Sequence, residues 1–161
     1  MDAGQGFHFP SPKMSRSDLI LLVEDSADDV ALTLSALGRA RVKHKVEVVL
    51  DGAEALDYLF ATGRYAENAD KPPPCFILLD INLPKLPGIE VLKRLRSDPR
   101  TRLIPTVMLT TSREERDVAE SYRCGANSYI RKPVDFQEFV TVIRSLAKYW
   151  LTYNEAAPSL R

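Results

Sequence analysis

The sequence predicts an α/β fold in which a parallel sheet of five strands is covered by helices on both faces. Two observations carry this. Short apolar runs alternate with segments of helical period along most of the chain, the pattern of strand–helix–strand units rather than of hairpins. The runs also end in chemistry: Leu19–Val23 leads into Glu24 and Asp25, Cys75–Leu79 into Asp80, Ile104–Leu109 into Thr110, and a run ending at Arg131 into Lys132. Ligands bind at the carboxyl ends of the strands in open α/β sheets. Three carboxylates, a hydroxyl and an ammonium are therefore expected at one edge, a poor core but a suitable site for a divalent cation and a phosphoryl group.

Strands are expected near 19–23, 46–50, 75–79, 104–109 and 127–131. The first helix follows Ser26 as N-cap, with Asp28 and Asp29 in the first turn, where the helix dipole favours acids. Val30, Leu34 and Leu37 form its expected buried stripe. The second helix spans about Ala53 to Thr62, and the third runs from Ile89 to Arg96, stopping before Asp98-Pro99. The fourth, Glu114 to Arg123, is stopped by Gly125 after Cys124. The fifth follows Asp135 and turns Phe136, Phe139, Val140, Ile143, Leu146 and Ala147 toward the sheet. Between the second helix and the third strand, Gly63 to Pro74 lacks periodicity and ends in three prolines, which reads as an extended surface loop.

With 161 residues the chain is sized for one domain with a substantial core. Residues 1–17, rich in Gly, Pro and Ser, read as a flexible leader without a signal-peptide core. Residues 18–150 read as the folded domain and 151–161 as a tail. The 22 basic residues equal the 22 acidic ones, which gives no basis for attraction to nucleic acid or membrane. No apolar stretch reaches membrane-spanning length. Cys75 and Cys124 lack metal-ligand spacing, and reduced thiols point to a cytoplasmic protein. His8 and His44 fall in the leader and a turn, and suggest no histidine chemistry.

Each candidate residue alone has a plainer reading: an Asp after a strand caps a turn, a Lys there is exposed, a Thr merely closes a strand. Together they are harder to explain without a ligand. Two carboxylates about 4 Å apart repel by roughly 4 kcal/mol at an effective dielectric of about 20. An acidic cluster of this kind calls for a cation.

Four segments, in order and each at the end of an expected strand, carry a family resemblance: Leu22-Val23-Glu24-Asp25, Leu79-Asp80-Ile81-Asn82-Leu83-Pro84 with Gly88, Met108-Leu109-Thr110, and Tyr129-Ile130-Arg131-Lys132-Pro133. Over residues 18–150 the chain resembles the receiver domain of two-component response regulators. The resemblance implies a flavodoxin-like sheet in the order 2-1-3-4-5, with its switch point between strands one and three. It implies Asp80 as phosphoacceptor, and Mg²⁺ held by Asp25 directly, by Glu24 through water, by Asp80 and by the backbone carbonyl of Asn82. Lys132, aimed by a cis bond to Pro133, is implied to contact a phosphoryl oxygen. Thr110 is implied to donate its hydroxyl, and Tyr129 to act as the switch aromatic that turns inward as Thr110 moves. Asn82 and Ser112 flank the site and are implied to tune the phosphoryl lifetime.

The implied donor is a sensor histidine kinase. The implied output is protein–protein interaction through helix four, strand five and helix five. Tyr149, Trp150, Leu151 and Tyr153 prolong the fifth helix and are expected to anchor a homodimer. With no further domain expected after residue 150, the chain reads as a stand-alone receiver rather than an enzyme acting on other substrates. The proline-ended loop and aromatic tail resemble single-domain regulators that serve bacterial phytochrome kinases. Two alternative readings compete with this one. A pseudo-receiver that binds partners without phosphotransfer is disfavoured by the intact Glu24, Asp25, Asp80, Thr110 and Lys132. A Mg²⁺-dependent phosphohydrolase would pair its nucleophile with an acid two residues on, where this chain has Asn82.

Overall fold

A computed structural model describes residues 17–158, so the expected leader lies, but for Ser17, outside the described residues. The elements are β1 (Leu19–Val23), α1 (Ala27–Arg39), β2 (Lys45–Val49), α2 (Gly52–Phe60), a 3₁₀ helix (Gly63–Asp70), β3 (Phe76–Leu79), α3 (Gly88–Ser97), β4 (Thr106–Thr110), α4 (Glu115–Arg123), β5 (Ser128–Arg131), α5 (Phe136–Lys148) and a π-helical turn (Tyr149–Tyr153). The strands form one sheet in the order β2-β1-β3-β4-β5, and every pairing is parallel. This is the expected flavodoxin-like topology.

The pleat explains the near-continuous apolar strands: both faces of the sheet are covered, so both sets of side chains are buried. Ile20, Leu22, Phe76, Leu78, Val107 and Leu109 face Ala36 and Leu37 of α1 and Phe139, Val140 and Ile143 of α5. Their neighbours Leu21, Val23, Ile77, Leu79 and Met108 face the other way, against Ala55 and Leu56 of α2 and Val91, Leu92 and Leu95 of α3. The α5 stripe matches the sequence reading. In α1, Leu37 is buried and Val30 packs partly on the core as expected, but Leu34 is 39% exposed, and Thr33 and Ala36 are buried in its place.

Three further differences have local causes. β4 begins at Thr106 rather than 104, because Pro105 has no N–H for the ladder, although its carbonyl accepts from Ile77 N–H at 2.9 Å. The segment from Gly63 is not extended but a 3₁₀ helix as far as Asp70. Tyr65 anchors it on α2: its ring meets Tyr58 edge-on at 5.0 Å and its hydroxyl donates to Glu54 at 2.7 Å. Finally, the described chain contains no cis peptide, so the Lys132–Pro133 bond, which the resemblance implied to be cis and the residues alone left open, is trans.

Two glycines permit close approaches beneath the functional edge. A Cβ at Gly88 would lie 2.0 Å from the Asp80 carbonyl oxygen, and one at Gly52 would lie 2.1 Å from that of Leu86. Gly88 thus lets α3 start directly against the end of β3, with its N–H donating to the Ile81 carbonyl at 2.8 Å.

At the opposite edge, half-buried Arg96 ties the loops before β4 and β5 together. It donates to the carbonyls of Gly125 (2.8 Å), Ile104 (2.9 Å) and Arg102 (3.1 Å) and to the Asn127 side-chain oxygen (2.8 Å). α5 runs on into the π-helical turn, where Trp150 and Leu151 pack partly on the α1/α5 core while Tyr149 and Tyr153 are 50% and 64% exposed. No described helix is long and apolar enough to cross a membrane.

Candidate functional site

The parallel topology brings the strand ends to one edge. Glu24 and Asp25 follow β1, Asp80 follows β3, Thr110 closes β4 and Lys132 follows β5. One carboxylate oxygen each from Glu24, Asp25 and Asp80 lie within 4.8 Å of one another. Glu24 and Asp80 are buried, at 2% and 8% exposure, and Asp25 is exposed, so the cluster has a dry floor and a wet rim. An all-oxygen, carboxylate-rich set open to water on one side suits a hard cation such as Mg²⁺, which keeps several of its waters.

Lys132 supplies the counter-charge. Its side chain is only 8% exposed, and its Nζ lies 2.5 Å from Glu24 Oε2, 3.1 Å from Asp29 Oδ2 and 3.5 Å from Asp80 Oδ2. Burial opposes the ammonium charge, but the Glu24 hydrogen bond and the fields of Asp80 and Glu24 outweigh it and raise the lysine pKa. Glu24 moves the other way from an ordinary ion-paired acid. Burial, only partly offset by the Lys132 hydrogen bond and reinforced by the Asp80 charge, lifts it to about 7. One lysine is too little positive charge for this set of acids.

The remaining residues are placed as follows. Asp80 N–H donates to the Val23 carbonyl at 3.1 Å, fixing the carboxylate beside β1. Asn82 is exposed, and its backbone N–H faces Asp80 Oδ1 at 3.4 Å. Thr110 is fully buried, and its hydroxyl oxygen accepts from Ser112 N–H at 3.3 Å. Ser112 Oγ in turn donates to Asp117 at 2.5 Å. The Tyr129 hydroxyl donates to the Ser112 carbonyl at 3.1 Å, so this ring is tied to the loop after β4. Lys132 N–H donates to the Thr110 carbonyl at 2.8 Å, which links the two strand ends.

The structure thus brings Glu24, Asp25, Asp80 and Lys132 together and sets Thr110 at the same edge. Asn82 lies beside the cluster, Tyr129 turns toward the β4–α4 loop, and Tyr149, Trp150, Leu151 and Tyr153 lie on the tail of α5. Asp29 joins the site although its sequence position reads only as a first-turn acid answering the helix dipole. Its signal was present: an acid three residues after an N-cap serine that itself follows the Glu24-Asp25 pair.

Comparison with protein families matches residues 20–144 to the response regulator receiver domain. Among curated proteins, response regulator Rcp1 of Synechocystis is 38% identical over 133 residues, covering 83% of this chain and 88% of Rcp1. The crystal structure of the phosphorylated cyanobacterial phytochrome response regulator RcpA is 38% identical, with a TM-score of 0.80 over 87% of this chain and 98% of that one. The Mn(2+)-bound form of Rcp1 is 35% identical, with a TM-score of 0.79 over 87% and 99% of the two chains.

The elevated Glu24 pKa sets a pH dependence. A cation needs the ionised carboxylate, and with a pKa of about 7 most of Glu24 is protonated at pH 6 and ionised at pH 8. The apparent Kd for Mg²⁺ should therefore fall about tenfold between those pH values. Calorimetric titration of the wild type and of Glu24→Gln checks this; the variant should lose the pH slope, and a flat wild-type profile contradicts it.

Proposed function

Because the chain belongs to the response regulator receiver domain family of two-component signalling, we propose that it is a phosphorylation switch with Asp80 as the acceptor. The observation that supports this best is the convergence of Glu24, Asp25 and Asp80 around a buried lysine at the carboxyl edge of the sheet. An Asp80 oxygen attacks the phosphorus of a phosphohistidine on a partner kinase. The new O–P bond forms as the P–N bond breaks, and the imidazole leaves with that electron pair. Glu24, Asp25, Asp80 and the Asn82 backbone carbonyl would hold Mg²⁺, which when bound neutralises charge on the transferring group.

Catalysis here is mainly positioning and electrostatics. The backbone pairing of β3 with β1 fixes the Asp80 nucleophile, and the Lys132 ammonium takes a phosphoryl oxygen in place of carboxylates. The Thr110 hydroxyl gives up Ser112 N–H and donates to the phosphoryl group. Tyr129 then releases the Ser112 carbonyl and turns into the space left by Thr110. The acyl phosphate carries nearly −2 where the Asp80 carboxylate carried −1, and these rearrangements around it reshape the face made by α4, β5 and α5. The phosphorylated form of RcpA and the Mn(2+)-bound form of Rcp1 support this chemistry by similarity.

The partner we place upstream is a sensor histidine kinase of the phytochrome type, by similarity to RcpA. The second partner is another copy of the chain. Supporting this, β5 pairs on one side only among the described residues. Beside it lies a groove of about 530 Å³, lined by Ser128, Ile130, Thr141, Ser145, Tyr149 and Trp150. Cys75 and Cys124 form no disulfide, which suits a reducing cytoplasm.

Two experiments test this. Intact mass after incubation with acetyl phosphate and Mg²⁺ should show a phosphoryl adduct on the wild type and none on Asp80→Asn; an adduct on both means another acceptor. Sedimentation at micromolar concentration should show a dimer that Tyr149→Ala/Trp150→Ala weakens at least tenfold, as expected for central aromatic anchors. A wild-type monomer, with and without phosphorylation, defeats the dimer.

A further inference from the structure

Taking Asp80 as the phosphoacceptor, we infer that Asp29 is a positioning residue: it holds the Lys132 ammonium back from Asp80 in the unphosphorylated protein and so slows phosphoryl uptake. The order of distances is the first observation. Lys132 Nζ is 2.5 Å from Glu24 and 3.1 Å from Asp29, but 3.5 Å from Asp80, the group it must serve.

The second observation is what the Asp29 carboxylate does not do. Asp29 occupies the third position of α1, behind the N-cap Ser26, whose Oγ accepts from Asp29 N–H at 3.3 Å. An acid at this position ordinarily folds back to accept from the N-cap backbone N–H. Here that N–H donates to Glu24 Oε1 at 3.2 Å instead. Glu24 thus takes over the reciprocal half of the cap with one oxygen while its other oxygen binds Lys132. The Asp29 carboxylate is released from capping and reaches across from α1 to the end of β5. Its side chain is 32% exposed, against 8% for Lys132, so it draws the ammonium from the floor of the site toward the rim.

In phosphotransfer from acetyl phosphate, an Asp80 oxygen bonds to phosphorus and acetate leaves with the electron pair of the broken P–O bond. Lys132 must shift toward the phosphoryl oxygens as this happens, and every contact it keeps with Asp29 opposes the shift. Asp28 provides the internal control. It carries the same charge one residue away in the same helical turn, but it is exposed and has no contact with Lys132 among those described.

The test is the phosphorylation rate with acetyl phosphate and saturating Mg²⁺, read by intact mass, for wild type, Asp29→Asn, Asp29→Glu and Asp28→Asn. The Lys132 side-chain NMR resonances of the unphosphorylated proteins are read alongside. Asp29→Asn should phosphorylate about two- to fivefold faster, the rate equivalent of a partly exposed ion pair. It should also shift the Lys132 resonances. Asp29→Glu should stay near wild type, and Asp28→Asn should move neither readout appreciably. An equal acceleration by Asp28→Asn would show that only bulk repulsion of the anionic donor is relieved, and would overturn the inference. So would an unchanged rate for Asp29→Asn, or Lys132 resonances that ignore it. If the wild type gains no phosphoryl mass, the phosphoacceptor reading itself fails and the rate effect falls with it; the Lys132 resonances show separately whether Asp29 holds the lysine.

Discussion

A single buried ammonium set among carboxylates governs this molecule. Lys132 bridges Glu24, Asp29 and Asp80 across three separate segments of the chain, and it does so where water is nearly excluded. A buried charge that loses its partner is among the more destabilising changes a protein can suffer. The strand ends after β1, β3 and β5 are therefore bound to one another electrostatically as well as by their place in the sheet. The balance is nevertheless incomplete, as the Glu24 carboxyl shows by holding its proton up to about pH 7. That residual negative excess is what a divalent cation would relieve. An edge under-neutralised at rest is one that a cation would stabilise, as the proposed phosphorylation switch requires.

The rest of the structure serves to keep those charges in register. Both faces of the sheet are sealed by apolar clusters, so the strands cannot slide without exposing Leu, Ile and Val on one side or the other. Gly88 lets α3 begin against the Asp80 backbone, and a side chain there would collide with that carbonyl. Far from the site, Arg96 gathers the loops before β4 and β5, which fixes where those strands start and hence where Thr110 and Lys132 finish. Tyr129 links the end of this chain of supports to the loop after β4 through the hydrogen bond from its hydroxyl to the Ser112 carbonyl.

Much of this was legible in the sequence because it is written in local signals. Five apolar runs, each followed by a helical period, dictate parallel crossovers, and their terminal acids, hydroxyl and lysine mark the binding edge. What escaped depended on contacts between distant segments. The 3₁₀ helix at Gly63–Asp70 exists because Tyr65 finds Tyr58 and Glu54, which no periodicity announces. Leu34 fits the helical stripe of α1 yet is 39% exposed, its place in the core taken by Thr33 and Ala36. The bonds from Arg96 to Gly125 and Asn127 join residues 29 and 31 positions apart and the Asp29–Lys132 pair residues 103 apart, and no periodicity announces such pairs.

The most direct test of the central claim is the thermal unfolding of Lys132→Met in EDTA at pH 8, where Glu24 is ionised. Removing the lysine leaves the acids without a counter-charge. The account predicts a loss of about 3 kcal/mol, or roughly 6–12 °C in Tm for a chain of this size, with Mg²⁺ restoring more stability to the variant than to the wild type. A variant that melts at or above the wild-type temperature in EDTA would show that the carboxylates do not depend on Lys132, and would contradict the account.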